Sequence, residues 1–131
     1  MHIRDALLRE LTARFGQEAF LPGDRPEDIA VFPAVHPEVG PVIVSDDGDE
    51  ASVTIGTITH GHFNDFDLPV EAAALGIAVG VADFLESLFA GRVVLWKSRA
   101  GSRGGWYGLD QDEQPSSRRG VQTFVWQGPV E

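Results

Sequence analysis

The sequence predicts a two-layer α+β domain, in which a mostly antiparallel sheet of about five or six strands carries two helices on one face. Three observations lead there. Apolar residues recur at helical spacing in two stretches, 2–15 and 68–90. The β-forming runs between and after them are separated by short turn signals, which favour hairpins over long crossovers. The resulting order, α-β-β-β-α-β-(β)-β, lacks the regular alternation of a parallel sheet.

In the first stretch Ile3, Leu7, Leu11 and Phe15 stand four apart with Ala6 and Leu8 beside them, and Gly16 is placed to end the helix as a left-handed cap. Residues 17–28 mix acids with Pro22, Gly23 and Pro26, the composition of an exposed connection. Ile29, Val31, Phe32 and Val35 suggest a strand over 29–36, and Pro33, lacking an amide proton, makes it an edge or bulged one. Residues 36–41 read as a turn. Val42, Ile43 and Val44 then run to Asp47-Gly48, a tight-turn dipeptide, and Ala51, Val53 and Ile55 alternate with Ser52 and Thr54. Gly56-Thr57 suggests a bulge, after which residues 58–60 continue the strand.

Asp67 before Leu68-Pro69 is a helix-start signal. A helix over 68–90 puts Ile77, Val81, Phe84, Leu85 and Leu88 on one side, and Gly91 closes it. Ala72, Ala73, Gly76 and Gly80 form a smooth strip along it, suited to packing on the sheet or to a homodimer contact. Residues 92–97, RVVLWK, predict a well-buried strand with a charge at each end. The Gly-, Ser- and Arg-rich segment 98–120 reads as a long excursion with a short strand near Trp106-Tyr107, and residues 121–127 form a last strand. No linker or repeat interrupts this pattern, so residues 1–131 are expected to form a single domain.

Composition narrows the function classes. Ten basic residues against twenty acids give a net charge of −10, which repels nucleic acid and anionic membranes and favours a basic protein partner. The sign is unevenly spread: residues 1–91 hold four arginines and sixteen acids, residues 92–131 six basic residues and four acids. Having no cysteine, the chain has neither disulfides nor a thiolate ligand or nucleophile. The first twenty residues carry charges throughout, unlike a signal peptide, so a cytoplasmic location is expected. The apolar run 72–82 is shorter than the roughly 20 residues of a membrane span and is expected to be a buried helix.

The stretch ITHGHFNDFD, residues 58–67, carries the chemistry a reader notices first. In extended backbone His60 and His62 point to the same side, so both imidazoles can reach one zinc, with Asp65 or the distant His36 as further ligands. Thr59-His60-Gly61-His62 resembles the THxHxDH signature of the metallo-β-lactamases. The chain then departs from it: Asn64 stands at the aspartate position, Asp65 comes one place late, and no histidine follows. None of that family's activity is carried over. The alternative is structural: His60 and His62 end a strand, Gly61 bends it, and Asn64 and Asp65 turn the chain toward an Asp67 cap.

Asp46, Asp47, Asp49 and Glu50 crowd around Gly48, but Thr57 occupies the twelfth position, where a calcium loop needs its glutamate. They read as a solvated hairpin tip and a negative patch for a basic partner. Arg99, Arg103, Arg118 and Arg119, with Trp106 and Tyr107, offer cations and stacking surfaces for a protein partner or an anionic ligand; the alternative is that these arginines neutralise the domain's own acidic surface and Trp106 pins the segment to the core. No nucleophile elbow or phosphate loop is present. The expectation is a non-enzymatic protein-binding module, an inhibitor, immunity-like protein or assembly factor, needing no cofactor. The alternative is a zinc-dependent or histidine-assisted enzyme centred on His60 and His62.

Overall fold

The computed structural model describes residues 2–64, 68–99, 103–109 and 120–130. Helix α1, Ile3–Phe15, turns Ile3, Ala6, Leu7 and Leu11 inward as its four-residue spacing requires. Gly16 ends it at φ 86° and ψ 148°, a positive-φ conformation that suits glycine but is not the left-handed helical cap expected. A 3-10 turn, Gln17–Ala19, follows, and Leu21 bridges to Val31.

Four strands come next: β1 (Asp28–Phe32), β2 (Val42–Asp46), β3 (Ala51–Ile55) and β4 (Thr59–Phe63). They pair in order as an antiparallel meander. β1 is an edge strand with an irregularity between Asp28 and Ala30. It stops before Pro33, whose missing N–H cannot extend the ladder. The expected bulge at 56–57 is instead a reversal. Ile58 N–H donates to the Ile55 carbonyl (3.0 Å), and 59–63 returns as a separate strand.

Helix α2, Val70–Phe89, begins after Pro69 with no side-chain cap, and Gly91 (φ 77°) follows its end. The Asp67 cap lies outside the described residues. From Ala72 to Phe89 the helix is long and apolar enough to cross a membrane (mean hydropathy 1.7), more than the short run read from the sequence suggested. Yet 44% of that window is buried, and Ala74, Ile77, Ala78, Val81, Leu85 and Leu88 lie in the core. The core helix of a globular protein accounts for both features.

β5 (Val93–Ser98), β6 (Gly104–Gly108), β7 (Val121–Val125) and β8 (Gly128–Val130) form a second antiparallel sheet in the order β6-β5-β7-β8. The class is therefore α+β as expected, but with two four-stranded sheets among the described residues in place of one sheet of five or six strands. β4 and β6 meet through packing rather than a ladder. A Cβ on Gly61 would lie 2.3 Å from the Trp106 ring, and one on Gly104 would lie 2.0 Å from the Ile58 carbonyl oxygen. These two glycines let the sheets close on each other.

One core joins α1, α2 and the inner faces of both sheets, with Leu7, Leu11, Val44, Ile55, Leu85, Leu88 and Leu95 fully enclosed. Each such leucine or isoleucine contributes roughly 1.5–3 kcal/mol by leaving water. Arg14 fastens the helices together from outside, donating to Glu10 (2.9 Å) and Asp83 (2.7 Å). At the start of β1, Arg25 donates through two nitrogens to both oxygens of Asp28, each at 2.9 Å. Ser45 Oγ adds a third bond to Asp28 at 2.7 Å. The Arg25 bonds, helped by Ser45, hold the Asp28 carboxyl below the usual aspartate range, although burial pushes the other way.

Candidate functional site

The β2–β3 turn projects the acids Asp46, Asp47, Asp49 and Glu50 from one end of the first sheet. Asp46 Oδ1 accepts the Gly48 N–H (2.8 Å), Asp47 N–H donates to the Glu50 carbonyl (2.9 Å), and Gly48 sits at φ 101°. No lysine or arginine lies within ion-pair distance of these four among the described residues. Arg25 acts on Asp47 only through its charge at longer range, and His62 Nδ1 is 3.1 Å from Glu50 Oε1.

β4 is an edge strand, so Thr59, Gly61 and Phe63 turn inward while His60 and His62 stand on its exposed face. Their ring centroids are 5.2 Å apart and nearly perpendicular. The two-residue spacing is thus realised. His36 does not join them. It belongs to the loop after β1, the strand at the opposite edge of the sheet from β4. There its Nδ1 accepts the Glu38 N–H (3.2 Å) and its ring rests against Gly128. Asp65 lies outside the described residues.

The hairpin supplies acids to the histidines instead. Ligand atoms of Asp47, Glu50 and His62 all lie within 4.8 Å of one another. The register explains this: Ser52 pairs with His62 and Ala51 with Phe63, so the turn before Ala51 overhangs the exit of β4. Sequence reasoning assigned Asp47 and Glu50 to a partner surface and His62 to a metal. A signal was available in the period-two pattern of 59–63, whose inward small residue and outward histidines mark an edge strand paired back on the hairpin.

Trp106 and Tyr107 face opposite sides of β6. Trp106 is 37% exposed, meets Phe84 edge-on at 5.3 Å, and lines an open groove of about 600 Å³ with Val93 and Leu109. Tyr107 is only 6% exposed. Arg99 and Arg103 flank the β5–β6 connection at the end of the molecule away from the acidic turn. There they line a pocket of about 350 Å³ with Lys97, Thr57, Ser98 and Gln122. On α2 the smooth strip is divided: Ala73 is buried and Gly80 lies over Phe63, whereas Ala72 and Gly76 are exposed beside Leu75 (50%) and Val79 (41%).

The described residues form a small α+β domain with an acidic turn at one end of β3 and, near its other end, a pocket lined by Lys97, Arg99 and Arg103. Neither a known protein family, nor a characterised protein, nor a solved structure matches the chain. What it does must be read from its own residues.

Proposed function

We propose that this is a non-catalytic binding protein that engages a basic protein partner through the acidic β2–β3 rim. The observation that carries the reading is that none of Asp46, Asp47, Asp49 and Glu50 forms an ion pair with a lysine or arginine among the described residues, although they crowd one turn between β2 and β3. Like charges held this close repel one another, and a cationic surface docking there relieves the repulsion. The proposal keeps the protein in the cytoplasm, where a domain without cysteine folds with no need of an oxidising compartment. It also allows two copies to meet across Leu75, Gly76 and Val79 of α2, a patch without charged side chains.

Site-specific photocrosslinking in cells tests the rim, using a photoreactive residue at Asp49 and a control at Arg9. A discrete adduct with a basic protein from position 49 is expected. It should vanish when Asp46, Asp47 and Glu50 are changed to their amides. The same adducts from both positions, or adducts indifferent to the amides, refute the reading.

The spacing of Asp47, Glu50 and His62 favours a second reading, a divalent-metal enzyme with His60 beside the ion. A nitrogen and two carboxylate donors suit zinc, whose open fourth position would hold water. Titration with zinc separates the readings. Stoichiometric binding abolished by His62→Ala supports the metal, whereas metal-indifferent thermal stability leaves the rim to a protein partner.

A further inference from the structure

We propose that the seam between the β3–β4 turn and the Lys97 end of the second sheet is a binding site for a small phosphate-bearing anion, held by Lys97, Arg99 and Arg103. On β5, Val93 and Leu95 face the core, and the two-residue period carries Lys97 onto that same side. A core-facing row thus ends in a cation. Its Nζ lies 5.4 Å from the centroid of Phe124, so the aromatic face supports the charge without neutralising it. In register with Lys97 stand Gly104 on β6 and Gln122 on β7. Because Gly104 has no side chain, the Ile58 carbonyl reaches the strand and brings Thr57 to the rim of the same cavity.

The backbone carrying the two arginines is pinned. Ser98 N–H donates to the Arg103 carbonyl (2.8 Å), Arg103 N–H to Ser98 Oγ (3.2 Å), and Arg99 N–H to the Gly120 carbonyl (2.7 Å). Three cations therefore line about 350 Å³ of space that no carboxylate lines among the described residues.

What sets this group apart is that three cations line one cavity, since Arg4, Arg9 and Arg92 also form no ion pair among the described residues but do not line it. Arg14 is shared among Glu10, Asp83 and Glu86, and Arg25 between Glu27 and Asp28. Lys97, Arg99 and Arg103 form no ion pair among the described residues. Glu38 lines an adjoining pocket with Arg99 but makes no ion pair with it.

The chemistry selects phosphate. Planar guanidinium forks match tetrahedral oxyanions, lysine adds a point charge, and the Thr57 hydroxyl and Gln122 amide are neutral donors for the remaining oxygens. A single carboxylate would leave most of the positive charge unmatched. A long nucleic acid would meet the field of a chain with net charge −10 once it left the cavity.

Calorimetry with inorganic pyrophosphate, at an ionic strength of ~20 mM to limit screening, tests the site. We expect saturable one-to-one binding, tighter than for orthophosphate. It should weaken about tenfold or more in Arg99→Gln/Arg103→Gln and in Lys97→Gln, and stay unchanged in Arg9→Gln. Amide spectra of each variant should match the parent, and Arg99→Lys should restore part of the loss seen in Arg99→Gln. Three results overturn the proposal: no saturation by ~10 mM pyrophosphate, equal weakening by Arg9→Gln, or much tighter binding of a twenty-nucleotide single strand than of pyrophosphate. The site stands apart from the acidic rim, and the rim amide variants should bind pyrophosphate like the parent.

Discussion

Strand β3 ends in two turns of opposite character, about 20 Å apart at ~3.4 Å per residue. At one end Gly48 (φ 101°) has nothing near the place a Cβ would occupy, and Asp47 and Asp49 beside it are exposed. At the other end Gly56 (φ 50°) is wedged, and a Cβ there would lie 2.0 Å from the Val39 carbonyl oxygen. Both positions require glycine dihedrals, yet for different ends. The open turn presents charge to a partner. The wedged turn packs on the loop after β1, and its Thr57 and Ile58 line the same cavity as Lys97. Flexibility of residue type serves exposure in one case and close packing in the other.

The sharpest way to break this comparison is to add one methyl group at each turn. Gly56→Ala combines left-handed strain with a backbone collision, so it should cost about 3–5 kcal/mol by denaturant unfolding. Gly104→Ala meets the Ile58 carbonyl in the same seam. It should cost about 2–4 kcal/mol and weaken pyrophosphate binding as well.

Asp28→Asn tests the first sheet where β1 enters it. Loss of the Arg25 and Ser45 bonds should destabilise by about 1–3 kcal/mol at neutral pH. The pH dependence has a definite sign. Folding lowers the Asp28 pKa, so the unfolded chain holds that proton more readily and stability rises with pH. The contribution is complete above the unfolded value of ~3.9 and is lost as pH falls through the lower folded value. Parent and variant stabilities should therefore converge in acid, and a gap constant down to the acid transition would deny Asp28 this role.

Gly48→Ala should cost about 1–2 kcal/mol, from the positive φ alone. If it matched Gly56→Ala, the distinction between an open and a wedged turn would fail. The smallest effect belongs to His60→Ala on the exposed face of β4, within about 0.5 kcal/mol of the parent.

Much of this architecture was legible in residue order. The stripe of Ile3, Leu7 and Leu11, the Asp47-Gly48 hairpin and the apolar side of α2 are local signals. Each appears where the pattern placed it, with α2 beginning two residues later. The return of the chain at β4 was not legible. Gly56-Thr57 fits a bulge as well as a turn, and Gly61 hides the inward side of β4 until Trp106 fills the space beside it. β8 escaped for a related reason: Gly128-Pro129 reads as a chain breaker, although an edge strand tolerates proline.

The candidate sites divide in the same way. That His60 and His62 share a face follows from spacing. That Asp47 and Glu50, rather than His36, stand near His62 follows from strand register. Arg99 and Arg103 stood out by composition, whereas Lys97 looked like a charge at the end of a strand until β7 placed Phe124 under it.

Residue order alone determined which segments are helical or extended, which side of each is apolar, and that acidic and basic residues are unevenly shared along the chain. These depend on neighbours a few positions apart. Tertiary structure alone decided that the eight strands among the described residues divide into two sheets, which acids approach His62, and that three cations share one cavity. Such pairings join residues tens of positions apart, and they are selected by whether side chains fit when surfaces close, as Gly61 under Trp106 and Gly104 against Ile58 do.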